Sequence, residues 1–87
     1  MRRAARVDAN QAEIVEALRG AGCSVWIIGL PVDLIAGKGG NTVLIEVKTA
    51  AGKHTPLQRD FMATWRGGAV ATIRDVEGAL TLARSLG

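Results

Sequence analysis

Pro31-Val32-Asp33-Leu34-Ile35, the glycine-rich interval Gly37-Lys38-Gly39-Gly40-Asn41, and then Thr42-Val43-Leu44-Ile45-Glu46-Val47-Lys48 decide how this chain folds. Successive side chains of a strand point to opposite faces. Val43, Ile45 and Val47 therefore share one face, while Leu44, Glu46 and Lys48 share the other. A strand otherwise fit for burial thus carries two charges two residues apart, which is costly unless something pairs or uses them. The expectation is a divalent metal ion. Glycine and asparagine tolerate positive φ, so the interval between the two runs is hairpin chemistry. Such a hairpin joins a strand over 32–36 to a strand over 42–49.

Outward from that hairpin, residues 8–20 carry helical periodicity. Ile14, Val15, Ala17 and Leu18 cluster on one side, and Glu13 and Glu16 fall away from it. Gln11 lies near the centre of the apolar side and Asp8 near its edge. Gly20 and Gly22 end the helix. Residues 24–28 read as a strand rich in branched and aromatic residues. A basic loop over 50–54 leads to Thr55-Pro56-Leu57-Gln58, a well-formed helix start with Thr55 as N-cap, Pro56 at the first position and Gln58 completing a capping box. Leu57, Phe61, Met62 and Trp65 form its apolar stripe, and Gly67-Gly68 stops it. Residues 69–73 form a fourth strand. Asp75 caps a last helix with Val76, Ala79, Leu80 and Ala83 facing inward. The order is α-β-β-β-α-β-α, an α/β (α+β) chain.

At 87 residues there is room for a single domain, 1–87, with roughly 60–65% of the unfolded surface buried. The 48% hydrophobic and 22% charged composition places it among globular proteins. Trp26 and Trp65 are read as core residues. The net charge of +3 is unevenly spread: Arg2, Arg3 and Arg6 make a basic arm over 1–7, and Lys53, His54 and Arg59 cluster after the Glu46/Lys48 strand. That distribution favours an anionic partner, and nucleic acid above others. His54 is expected to contact solvent or phosphate. Cys23 has no internal partner and suits a small buried thiol in a reducing compartment. The N-terminal arginines lead into a polar stretch unlike a signal peptide, and no apolar run approaches the ~20 residues that span a bilayer. A soluble cytoplasmic protein with no membrane association is expected.

Adjacent antiparallel strands lie about 5 Å apart, so Asp33 and Glu46 can face one ion. Mg²⁺ takes oxygen ligands and is commonly held by one or two carboxylates plus substrate phosphate. Lys48, one pleat from Glu46, stays charged beside two acids and can orient water or offset charge developing on phosphate. These groups together suit hydrolysis of a phosphodiester.

On Pro31-Val32-Asp33, Ile45-Glu46-Val47-Lys48 and Thr55-Pro56-Leu57-Gln58, and on the element order from Asp8 through the last strand, the chain resembles the PD-(D/E)XK nuclease superfamily. Within it, the resemblance is to the compact stand-alone VRR-NUC and Holliday-junction-resolvase-like domains, often of phage origin. The resemblance implies a restriction-endonuclease-like αβββαβ core with a C-terminal helix and a mixed four-stranded sheet. It implies Asp33, Glu46 and the Val47 backbone carbonyl as ligands of Mg²⁺, with Mn²⁺ able to substitute. Lys48 would be the catalytic lysine and Gln58 the glutamine this subgroup carries at the start of its second core helix. Its relatives act on DNA, branched DNA included, as homodimers, in the cytoplasm of a bacterium or a phage-infected host cell. The dimer surface would use apolar residues left over from the core, on the last helix or the Trp65 helix. Two departures stand out. Val32 separates the proline from Asp33, and the first-helix glutamate of these nucleases falls on Gln11. Gln11 would then join the catalytic set without bringing charge, with Asp8, one turn earlier, as a compensating metal ligand. The alternative is a non-catalytic DNA-binding module on a decayed nuclease fold.

Overall fold

The structure, a computed structural model, describes residues 8–87; the basic arm with Arg2, Arg3 and Arg6 lies outside the described residues. Seven elements follow in order: α1 (Gln11–Gly20), β1 (Ser24–Ile27), β2 (Leu34–Lys38), β3 (Asn41–Val47), α2 (Pro56–Thr64), β4 (Val70–Ile73) and α3 (Val76–Leu86). They build a mixed α/β fold around one four-stranded sheet of order β1-β2-β3-β4. The first three strands are an antiparallel meander, and β4 runs parallel to β3 after the crossover through α2.

The hairpin is tighter than its five-residue glycine-rich interval suggests. Lys38 pairs with Asn41, which leaves Gly39 and Gly40 as a two-residue turn. Both have positive φ, 60° and 83°, the geometry whose twist matches the flanking strands. That tip also anchors the C-terminus of α3: Asn41 Nδ2 donates to the Leu86 carbonyl at 2.6 Å and Lys38 Nζ to the Ala83 carbonyl at 3.3 Å. Carbonyls of the last helical turn need partners from outside the helix.

One face of the sheet carries the core. Leu34, Ala36, Val43, Ile45, Val47 and Ile73 point to it, and Ile14, Val15, Leu18, Ala79, Ala83 and Leu86 of α1 and α3 cover them. The alternation expected of the third strand is therefore observed. Cys23 is buried in this core. Val76 and Leu80, expected inward, are only half-buried, because α3 turns Ala79, Ala83 and Leu86 to the sheet. The opposite face is thinly covered. Helix α2 crosses it without burying any residue completely, and its expected apolar stripe is only half-buried at Phe61 and Met62 and exposed at Leu57.

Several expectations need correction. Helix α1 starts at Gln11, with Asn10 as N-cap residue, so Asp8 precedes the helix and contributes its carbonyl to the Gln11 N–H at 3.0 Å. Strand β2 begins at Leu34, after Asp33, and β3 ends at Val47, before Lys48. Trp26 and Trp65 are not core residues: they are 73% and 44% exposed. Trp26 occupies the outer face of an edge strand, and Trp65 lies past the end of α2, stacked near Phe61 with ring centroids 5.3 Å apart. Among the described residues no helix is long and apolar enough to cross a membrane.

Candidate active site

The β2–β3 ladder runs out at Leu34↔Ile45. Backbone groups of β3 alternate between its two neighbours: the Leu44 and Lys48 N–H groups reach β4 and the strand end beyond it, bonding the Ala69 and Ile73 carbonyls at 3.0 Å each. The Val47 N–H therefore faces the β2 side, where the strand has not yet begun. Asp33 fills that place with its side chain, Oδ2 accepting from Val47 N at 2.7 Å. The Val47 carbonyl faces the same side as its N–H, next to the Asp33 carboxylate.

Glu46 is on the outer face, one rung along. It is 1% exposed, the one charged residue that is buried among the described residues. Lys48 Nζ lies 3.7 Å from Glu46 Oε2, and Gln58 Nε2 donates to the same oxygen. Gln58 reaches it because the capping box fixes the start of α2: Thr55 Oγ1 accepts from Gln58 N at 3.1 Å, and Gln58 Oε1 accepts from Thr55 N at 2.8 Å. Glu46 Oε1 is buried without a hydrogen-bond partner, and so is Asp8 Oδ2.

The environment of both acids disfavours their ionised forms. Burial pushes Glu46 up to about 7, helped by the charge of Asp33, and Lys48 only partly offsets it. Burial also raises Asp33; the Val47 N–H lowers it, Asp8 raises it further and Lys48 lowers it. Desolvation and like charge both disfavour the ionised acids, and a divalent ion reverses that balance. The donor set fits a sparse, water-rich ion. Among the described residues no group of three His, Cys, Asp or Glu side chains gathers to hold a metal. Two carboxylates and a backbone carbonyl are the kind of set Mg²⁺ accepts when phosphate and water complete its shell.

The basic groups form a rim around Glu46. Half-buried His54 meets Thr72 through Nε2···Oγ1 at 3.0 Å, and Thr72 is the β4 partner of Glu46. Burial holds the imidazole below its usual pKa, with Lys48, Arg74 and Arg59 pushing the same way. Arg59 Nη1 donates to the His54 carbonyl at 3.1 Å, and Lys53 is exposed beside it. Arg59 and His54 are thus in contact, while Lys53 precedes His54 in the chain and is exposed.

Gln11 lies in the first turn of α1. It is buried, as its helical phase predicts, and Glu13 is exposed. Its surroundings are a groove shared with Val15, Arg19 and Ile27, and among the described residues it makes no side-chain hydrogen bond to Asp33 or Glu46. Asp8 is the acid from this segment whose charge is felt at Asp33.

Two supporting residues escaped sequence reasoning. Asn10 Nδ2 donates to the Arg74 carbonyl at 2.9 Å and the Lys48 carbonyl at 3.2 Å, tying the start of α1 to the exits of β3 and β4. Arg74 Nη1 donates to the Thr49 and Gly52 carbonyls at 2.8 and 2.7 Å and shapes the loop after Lys48. The available signal for Asn10 was an asparagine just before a helix start, a residue type favoured at caps, and it does not point to carbonyls so far along the chain.

No protein-family model matches this chain, and comparison with curated proteins and with solved structures found no match either.

Proposed function

We propose that the protein is a Mg²⁺-dependent DNA endonuclease on a restriction-endonuclease-like core, hydrolysing phosphodiester bonds. One observation carries the reading: Asp33 and Glu46 converge at the end of β3 with raised pKa values, while Lys48 and Gln58 both engage the Glu46 oxygen. Asp33, Glu46 and the Val47 carbonyl would hold the ion, with Asp8 nearby as a further acid. Bound Mg²⁺ supplies charge neutralisation and Lewis acidity at phosphate. Lys48 would lie beside the reacting phosphate, where it would offset developing negative charge. Gln58 orients the Glu46 carboxylate. Lys53, Arg59 and Arg74, with the N-terminal arginines, take the flanking phosphates. Branched DNA, a homodimeric enzyme and a cytoplasmic setting belong to the same proposal.

The test is cleavage of labelled linear and four-way-junction DNA with Mg²⁺ or Mn²⁺, comparing the wild type with Asp33→Ala and Lys48→Ala. Nicking that needs the metal and disappears in both variants supports the enzyme. Intact DNA in every lane, with salt-sensitive binding retained, favours a DNA-binding module without catalysis. An uncharged Gln11 at the position of the first-helix glutamate is what commends that second reading.

A further inference from the structure

Strand β1 is an edge of the sheet, and its sequence Ser24-Val25-Trp26-Ile27 has no charge and no proline to guard it. Unprotected apolar edges are templates for another strand. The Ile28 N–H bonds the Asp33 carbonyl at 2.9 Å, so Ser24, Trp26 and Ile28 spend their backbone groups on β2. The N–H and C=O groups of Val25 and Ile27 face outward. Trp26 and Ile27 are 73% and 60% exposed, and Ile28 follows at 41%. These three side chains present on the order of 350 Å², nearly half of the ~800 Å² per partner that a standard interface buries.

Helix α1 overhangs this edge. Between α1 and β1 runs a groove of about 340 Å³ lined by Val15, Glu16, Arg19 and Ile27 among others. Arg19 Nη2 bridges the groove to the Val25 carbonyl at 2.9 Å, covering one of the outward acceptors.

We infer that β1 pairs antiparallel with β1 of a second copy of this chain, making one continuous sheet across a twofold axis. The occupant is a second copy because the surface is complementary to itself. A twofold axis perpendicular to the sheet brings Glu16 of one protomer opposite Arg19 of its partner, and the reverse, as an isologous contact requires. Arg19 leaves the Val25 carbonyl to meet that glutamate, and a backbone N–H of the partner strand takes its place. Trp26 of the two protomers meet near the axis on the outer face. Because the axis preserves the faces, both Glu46/Lys48 sites open on the same side of the joined sheet.

Sedimentation or light scattering of the full chain, without DNA or metal, tests this whether or not the protein cleaves DNA. The expected mass is about twice 9.1 kDa. A Trp26→Lys, Ile27→Lys double variant should be monomeric with an unchanged far-ultraviolet spectrum. Glu16→Arg and Arg19→Glu should each weaken the dimer about tenfold, and combining them should restore it. A monomeric wild type at ~100 μM overturns the inference. So does a dimer indifferent to both charge reversals, or one that survives the lysines in β1 and falls apart on Leu44→Lys in the sheet face.

Discussion

The Asp33 carboxylate accepts the backbone N–H of Val47 at 2.7 Å, joining the residue that precedes β2 to the last residue of β3. The acid proposed to hold the cation is therefore also the latch at the open end of the hairpin. The two roles separate by substitution. Asp33→Asn keeps an acceptor oxygen for Val47 and should fold nearly as stably as the wild type, yet lose Mn²⁺ uptake measured by electron paramagnetic resonance. Asp33→Ala leaves the N–H unpaired and should cost a further ~1–3 kcal/mol in urea denaturation. Equal stability of the two variants would refute the latch.

Glu46 gives the fold a pH dependence of unusual sign. Its proton is held to about 7 in the native state against an ordinary value of 4.5, so the unfolded chain releases its proton first. Between those limits stability should fall as pH rises, and stay low above 7, by roughly 1–2 kcal/mol after allowance for screening. Asp33, also raised, acts in the same direction. Thermal melts from pH 4.5 to 8 should show the slope, Glu46→Gln should flatten it, and Mg²⁺ at pH 8 should raise the melting temperature of the wild type alone.

Lys48 sits half-buried, 3.7 Å from Glu46. Replacing it with methionine retains the stem and removes the ammonium. Single-turnover cleavage should drop about 10²–10³-fold, while binding of a junction in Ca²⁺ changes little. Loss of binding in step with cleavage would assign Lys48 to substrate affinity and not to the reaction.

Asn10 bonds two carbonyls that are 38 and 64 residues away. Asn10→Ala should destabilise the domain by ~1–3 kcal/mol and speed amide exchange around Lys48 and Arg74. Asn10→Asp, which cannot donate, should behave as the alanine variant does.

Much of this architecture is legible in the chain itself. Thr55, Pro56 and Gln58 specify a helix start through local bonds, and Gly39-Gly40 specify a turn through φ, so both are readable within a few residues. Val43, Ile45 and Val47 reveal their face because period two is a property of the strand alone. Trp26 and Trp65 misled because apolar character marks a residue as fit for burial without saying whether its strand lies at an edge, as for Trp26, or its helix has already ended, as for Trp65. The candidate site drew attention at Asp33, Glu46 and Lys48, where charge interrupts an apolar pattern, and at Gln58 through its capping box. It was illegible at Asn10 and Arg74, whose partners are backbone carbonyls, carry no side-chain signature and lie far away along the chain.

The unequal cover on the two sides of the sheet divides what selection can change. Substitutions beneath α1 and α3 disturb a close-packed interior and threaten the existence of the domain. Substitutions along α2, the 49–55 loop and the outer rungs of β3 and β4 alter charge and reach while the scaffold persists. A chain this short can thereby change the charge and reach of its outer face and still fold.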